Sequence, residues 1–96
     1  MKVVVMYDVS DDRARESLAT HLQRLGLTRV QRSVFIGRAN PQILKDIERI
    51  ARSHINPNSD VVHIVPVDEG YWRRSKVLGT PYYLRISSAV SIIVQA

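Results

Sequence analysis

Three carboxylates stand within five positions near the start of the chain: Asp8, Asp11 and Asp12. They follow the apolar run Val3-Val4-Val5-Met6-Tyr7. A fully apolar strand is usually covered on both faces in the middle of a sheet, so a carboxylate at its end sits where the core opens to water. Such a group is suited to a hard divalent cation. The three acids are not equivalent. Ser10 reads as a helix N-cap, with Asp11 and Asp12 in the first turn, where the helix dipole favours negative charge. Asp8 precedes the cap, and capping does not account for it. Mg²⁺ often takes only one or two carboxylates and keeps several waters, so one Asp per protomer suffices if a two-fold axis joins two copies. The residue types alone leave the role of Asp8 open.

Other chemistries are excluded or unsupported. The chain has no cysteine, which removes disulfides, zinc–thiolate sites and thiol nucleophiles. A reducing, intracellular setting is compatible with that. There is no Gly-x-Ser-x-Gly elbow and no glycine-rich phosphate cradle. His21, His54 and His63 show no metal-ligand spacing, and a structural role accounts for each.

Charge points in two directions. Fourteen basic residues, 11 of them arginine, outnumber nine acidic ones for a net charge of +5. A surface laced with ion pairs fits this excess. So does a nucleic-acid surface, because arginine offers a planar bidentate donor set to phosphates.

The elements that must position these residues follow from the pattern. The first strand is expected over Lys2–Val9, and a helix from about Asp11 to Leu25. Ala14, Leu18, Leu22 and Leu25 form its apolar stripe, and Gly26 ends it. Leu27 to Ala39 reads as a hairpin, Leu27–Gln31 and Val34–Arg38, turning at Arg32-Ser33. The turn lacks Asn-Gly, so a single bulged strand competes. Asn40-Pro41 starts a second helix, with Ile43, Ile47, Ile50, Ala51 and His54 on one face. After the Asn56–Ser59 loop, Asp60–Val67 reads as a strand whose Pro66 leaves the ladder. Asp68-Glu69-Gly70 reads as a loop, Lys76-Val77-Leu78 as a short last strand, and Ile92-Ile93-Val94 as a strand in the tail.

Ninety-six residues fit one domain. The order β-α-β-β-α-β plus an extension predicts an α+β, ferredoxin-like sandwich: an antiparallel sheet with two helices on one face. Residues 1–79 are the expected core and 80–96 a C-terminal extension. Val3 to Met6 are apolar on both sides of the strand, which favours a covered second face and hence a homodimer. The apolar tail is expected to pack on the partner protomer, adding a strand to its sheet. No apolar run has the roughly 20 residues of a membrane helix, and the first strand begins at once, leaving no room for a signal peptide. A cytoplasmic location is expected.

Two blocks carry a resemblance. Tyr7-Asp8-Val9-Ser10-Asp11-Asp12 with Arg15, followed by Gly26-Leu27-Thr28-Arg29-Val30-Gln31-Arg32-Ser33-Val34-Phe35-Ile36-Gly37, resembles the CRISPR-associated Cas2 family. Asp60–Val67 and Val77-Leu78-Gly79 resemble it too, so the likeness covers about residues 1–79 in order. The resemblance implies a ferredoxin-like homodimer working with the CRISPR integrase subunit in spacer acquisition. It implies metal-dependent cleavage of single-stranded RNA or duplex DNA in some members, and a non-catalytic role in others. By position, Asp8 matches the strand-end aspartate taken as a metal ligand shared across the dimer axis. Arg15 matches a helix basic position, and Arg29, Ser33 and Phe35 match the hairpin block. Ser17 departs from the second basic residue common in relatives, a contact that is missing or moved to Arg13. The tail from Thr80 has no counterpart role.

The expected mechanism places Mg²⁺, with Mn²⁺ as alternative, on two Asp8 carboxylates as the catalytic and metal site. The expected nucleic-acid contacts are Tyr7, Arg13, Arg15, Arg29, Arg32 and Ser33, directed to backbone phosphate and so weak in sequence specificity. For Phe35 a core role is the simpler one. The rival is a non-catalytic basic scaffold holding duplex DNA between integrase subunits. A metabolite-binding regulatory domain is a third reading, and the arginine excess argues against it.

Overall fold

A computed structural model describes residues 1–81. β1 (Lys2–Asp8) leads to α1 (Asp12–Arg24), the hairpin β2 (Thr28–Gln31) and β3 (Val34–Arg38), then α2 (Pro41–His54), β4 (Val61–Val67) and a short α3 (Glu69–Arg74). The sheet runs in the order β2-β3-β1-β4 with every pairing antiparallel. This is the expected ferredoxin-like arrangement.

β1 sits inside the sheet, and its alternation sets the core. Val3, Val5 and Tyr7 are buried against the helices with Phe35, Leu18, Leu22 and Ile47. Val9 continues this set into the loop. α1 ends as its sequence predicts. Gly26 takes φ 92°, its N–H donates to Gln23 O at 3.0 Å, and Leu27 N–H donates to Leu22 O at 3.2 Å. That is a Schellman close, with the residue at C′ left-handed. Leu27 then lies so near Gly37 that a Cβ there would come within 2.4 Å of its Cδ2 and 3.1 Å of its Cα, so any larger residue at this point of β3 requires Leu27 to shift.

The expected hairpin forms, and not a single bulged strand. It turns at Arg32-Ser33, and β2 also carries a register shift between Arg29 and Gln31. No non-glycine residue among those described has positive φ, so the turn is not of the I′ or II′ type. Arg29 holds it instead: its Nε and Nη2 both donate to Arg32 O, at 3.0 and 2.8 Å.

Four expectations need correction. Pro66 does not take β4 out of the ladder: it stands opposite Val3, and Val67 beyond it stands opposite Lys2. Ser10 is not the cap of α1. Asp11 is, its Oδ2 accepting from Ala14 N at 2.8 Å, while Ser10 is drawn to Asp60. β1 accordingly stops at Asp8 rather than Val9. The segment after β4 is helical: Asp68 O accepts from Trp72 N at 2.9 Å and opens α3, and Lys76-Val77-Leu78 is not a strand. The strand expected at Ile92–Val94, and the packing of the tail on a partner, lie outside the described residues.

Candidate functional site

Asp8 closes β1 opposite Val61 of β4. Because side chains alternate along a strand, it faces away from Tyr7 and shares a face with Val4 and Met6. Their ladder partners Val34, Ile36, His63 and Val65 lie on that face as well. Neither α1 nor α2 covers it, and Val4, Met6, Val34, Ile36 and Val65 are only half-buried there. Asp8 itself is exposed. Among the described residues its carboxylate has no hydrogen-bond or ion-pair partner.

The loop carrying Asp8 into α1 is held on three sides. Arg15 Nη1 donates to Val9 O at 3.0 Å. Asp60 Oδ1 accepts from both the N–H and the hydroxyl of Ser10, at 3.1 and 2.9 Å. Asp11 caps the helix that follows. Asp60 also accepts from Asn56 N at 2.9 Å and Ser59 Oγ at 3.1 Å, and these bonds pull its carboxyl down from 3.8 to about 2. It is therefore ionised throughout the physiological range.

The helix-covered side of the same sheet end holds a second cluster. Tyr7 stacks on Phe35 with ring centroids 6.2 Å apart, and the Arg29 guanidinium lies 5.5 Å from the Phe35 centroid. Burial pushes the Tyr7 phenol up, with the Arg29 charge opposing. Among the described residues the Tyr7 Oη and the Arg15 Nε are buried without a hydrogen-bond partner. Arg15 also pairs with Asp12, a hydrogen bond that raises its pKa further, and Arg29 lies 3.8 Å from Glu16. Ser33 contributes its carbonyl to Tyr7 N at 3.1 Å.

The six expected nucleic-acid contacts thus divide. Arg13 and Arg32 are exposed. Arg15 and Arg29 are committed to partners within the chain, Tyr7 is buried, and Ser33 is half-buried in the turn. Asp8 is brought to the same end of the sheet as this cluster but onto the opposite face.

One exposed carboxylate without a protein partner fits a hard cation that keeps most of its waters. No group of three or more His, Asp or Glu side chains that could hold a metal exists among the described residues.

The family model for CRISPR associated protein Cas2 matches residues 1–75. The chain belongs to the Cas2 family. Over 62 residues it is 48% identical to a CRISPR-associated endoribonuclease Cas2 of Pyrobaculum aerophilum, covering 64% of this chain and 68% of that protein. Over 70 residues it is 39% identical to a Cas1/Cas2 endonuclease fusion of Thermoproteus tenax, covering 72% of this chain and 26% of the fusion. The crystal structure of Streptococcus pyogenes Cas2 at pH 6.5 superposes with a TM-score of 0.68 at 27% identity, covering 82% of this chain and all of that one.

Sequence reasoning passed over two features of this Cas2 chain. Asp60 reads as the first residue of a strand, yet it binds Ser10 from 50 positions away. No local pattern signals such a bond. The aromatic rings of His21 and His54 meet edge-on 4.9 Å apart, and a Ser17 Oγ–His54 Nε2 hydrogen bond of 2.9 Å ties α1 to α2. Ser17, the departure from the usual basic position, thus serves helix packing. No helix among the described residues is long and apolar enough to cross a membrane.

Proposed function

We propose that this Cas2 chain is a divalent-metal-dependent endonuclease of CRISPR adaptation, active as a cytoplasmic homodimer alongside an integrase subunit. The observation that carries the reading is the Asp8 carboxylate. It is exposed at a strand end, unpaired among the described residues, and set on a sheet face with a half-buried apolar patch. An apolar face of this kind is suited to a self-complementary two-fold contact, which sets two copies of one edge residue against each other. The endoribonuclease relatives support the chemistry, and the Cas1/Cas2 fusion supports the partner.

In this reading the two Asp8 side chains hold Mg²⁺ or Mn²⁺. When bound, the ion supplies Lewis-acid polarisation of a phosphodiester. Arg13 and Arg32, both exposed, neutralise backbone phosphates without reading bases. Arg15 and Arg29 act one step removed. Arg15 fixes the loop through Val9 O, and Arg29 fixes the hairpin turn on which Arg32 is presented.

Cleavage of single-stranded RNA and duplex DNA by wild type and Asp8→Ala, across a metal series, tests this. Wild type is expected to cleave and Asp8→Ala to bind nucleic acid without cleaving. Equal cleavage by both refutes the assignment. The scaffold reading draws on one observation, the exposed basic set Arg38, Arg73, Arg74 and Lys76 away from Asp8. It requires that Asp8→Ala leave spacer integration intact while charge reversal at those positions stops it.

A further inference from the structure

Asp60 is the most heavily hydrogen-bonded carboxylate among the described residues, yet it is not part of the exposed site. Its two oxygens divide their bonds. Oδ2 takes the Asn56 N–H and so closes the α2–β4 loop on itself. Oδ1 takes the Ser59 hydroxyl and reaches across to Ser10, where it engages both backbone N–H and side-chain hydroxyl. Closing the α2–β4 loop needs only the first set. The two bonds to Ser10 join that loop to a different one, two residues beyond Asp8.

The intervening residue is fixed as well. Val9 is 2% exposed, and its carbonyl is held by Arg15. Asp8 pairs with Val61, the residue after Asp60, so strand pairing and the Ser10 clamp grip the same short segment from both ends. A ligand on a strand end has no second strand residue beyond it to define its direction. Here the clamp supplies that definition.

We infer that Asp60 is a positioning residue for Asp8, fixing through Ser10 the backbone on which the Asp8 carboxylate is presented to its cation. The inference rests on the reading of Asp8 as a metal ligand. Groups that orient a ligand without touching the metal typically influence metal affinity by about 10- to 100-fold. The Asp60→Asn variant separates shape from charge. Its amide oxygen can still accept from Ser10, while the bond to Asn56 N is lost.

The test is Mn²⁺ titration of the full chain, read by paramagnetic broadening of the Asp8 and Val9 amide signals. Cleavage rate and nucleic-acid KM are measured on the same samples. Asp60→Ala is expected to weaken Mn²⁺ binding about tenfold and lower kcat with KM unchanged, and Asp60→Asn to stay near wild type. Wild-type affinity in Asp60→Ala, or an Asp60→Asn as weak as Asp60→Ala, overturns the inference. If Asp60→Ala does not fold, Ser10→Ala keeps the Asn56 and Ser59 bonds and is expected to weaken binding in the same direction by less. No change there also overturns it. Mn²⁺ broadening that persists in Asp8→Ala removes the Asp8 reading itself, and the role of Asp60 with it. That outcome is distinct from Mn²⁺ binding lost in Asp8→Ala but intact in Asp60→Ala.

Discussion

The two faces of one sheet differ in what their side chains are free to do. On the helix side, Val3, Val5 and Tyr7 of β1 are buried with Phe35, and even the charged neighbours Arg15 and Arg29 are occupied within the chain. On the other side, Val4 and Met6 of the same strand are half-buried and Asp8 is exposed and unpaired among the described residues. Strand alternation alone assigns Tyr7 to the first set and Asp8 to the second, although they are adjacent in sequence. Proximity along the chain is therefore a poor guide to shared chemistry here. Tyr7 builds the edge from beneath, and Asp8 is what the edge presents.

The largest expected effect lies at Phe35, fully buried and stacked on Tyr7. Phe35→Ala should destabilise the fold by about 3–5 kcal/mol in urea denaturation. A loss below about 1 kcal/mol would break the division of faces, because surface changes fall in that range. The neighbouring Ile36 points the other way, and Ile36→Asp should separate protomers while each stays folded. Light scattering after size exclusion should give the monomer mass with the far-ultraviolet circular dichroism retained. A dimer that persists would place the two-fold contact elsewhere.

A smaller effect is expected from Tyr7→Phe. Among the described residues the Tyr7 hydroxyl is buried without a hydrogen-bond partner, and leaving such a group unsatisfied costs about 1–3 kcal/mol, so its removal should stabilise the chain by about 1 kcal/mol. A loss of stability would mean that the hydroxyl is partnered in solution. The smallest effect concerns pH. The Asp60 carboxyl is lowered from 3.8 to about 2, so its contribution to stability is complete above pH 3.8 and disappears as pH falls through about 2. The difference in melting temperature between wild type and Asp60→Asn should be flat from neutral pH to about 5 and vanish near pH 2. A difference unchanged at pH 2 would rule out the carboxylate as its source.

What was legible beforehand follows the range of the interactions. Asn40-Pro41 capped α2 as read, with Asn40 Oδ1 accepting from Ile43 N at 2.8 Å, because a cap is settled within four residues. Gly26 and the alternating β1 were equally local. Ser10 misled because its hydroxyl had two options, and the one 50 residues away won. Arg15 and Arg29 read as phosphate contacts because charge is visible in sequence, whereas commitment to Val9 O and Arg32 O is not. α3 was missed because Tyr71-Trp72 and Val77-Leu78 look strand-forming, while Asp68-Glu69-Gly70 looks like a loop. The helix there opens on backbone bonding at Asp68, with Glu69 in its first turn and Arg73 and Arg74 in its last, a charge pattern that the loop reading of Asp68-Glu69-Gly70 passed over.

The central claim is that one site takes an Asp8 from each of two copies. Wild type and Asp8→Ala protomers can be mixed, left to exchange, and assayed for cleavage against the wild-type fraction. If both carboxylates are required, an equal mixture should retain about a quarter of the activity, falling with the square of the fraction. Retention of about half, a linear fall, would contradict the account and make Asp8 sufficient from a single protomer.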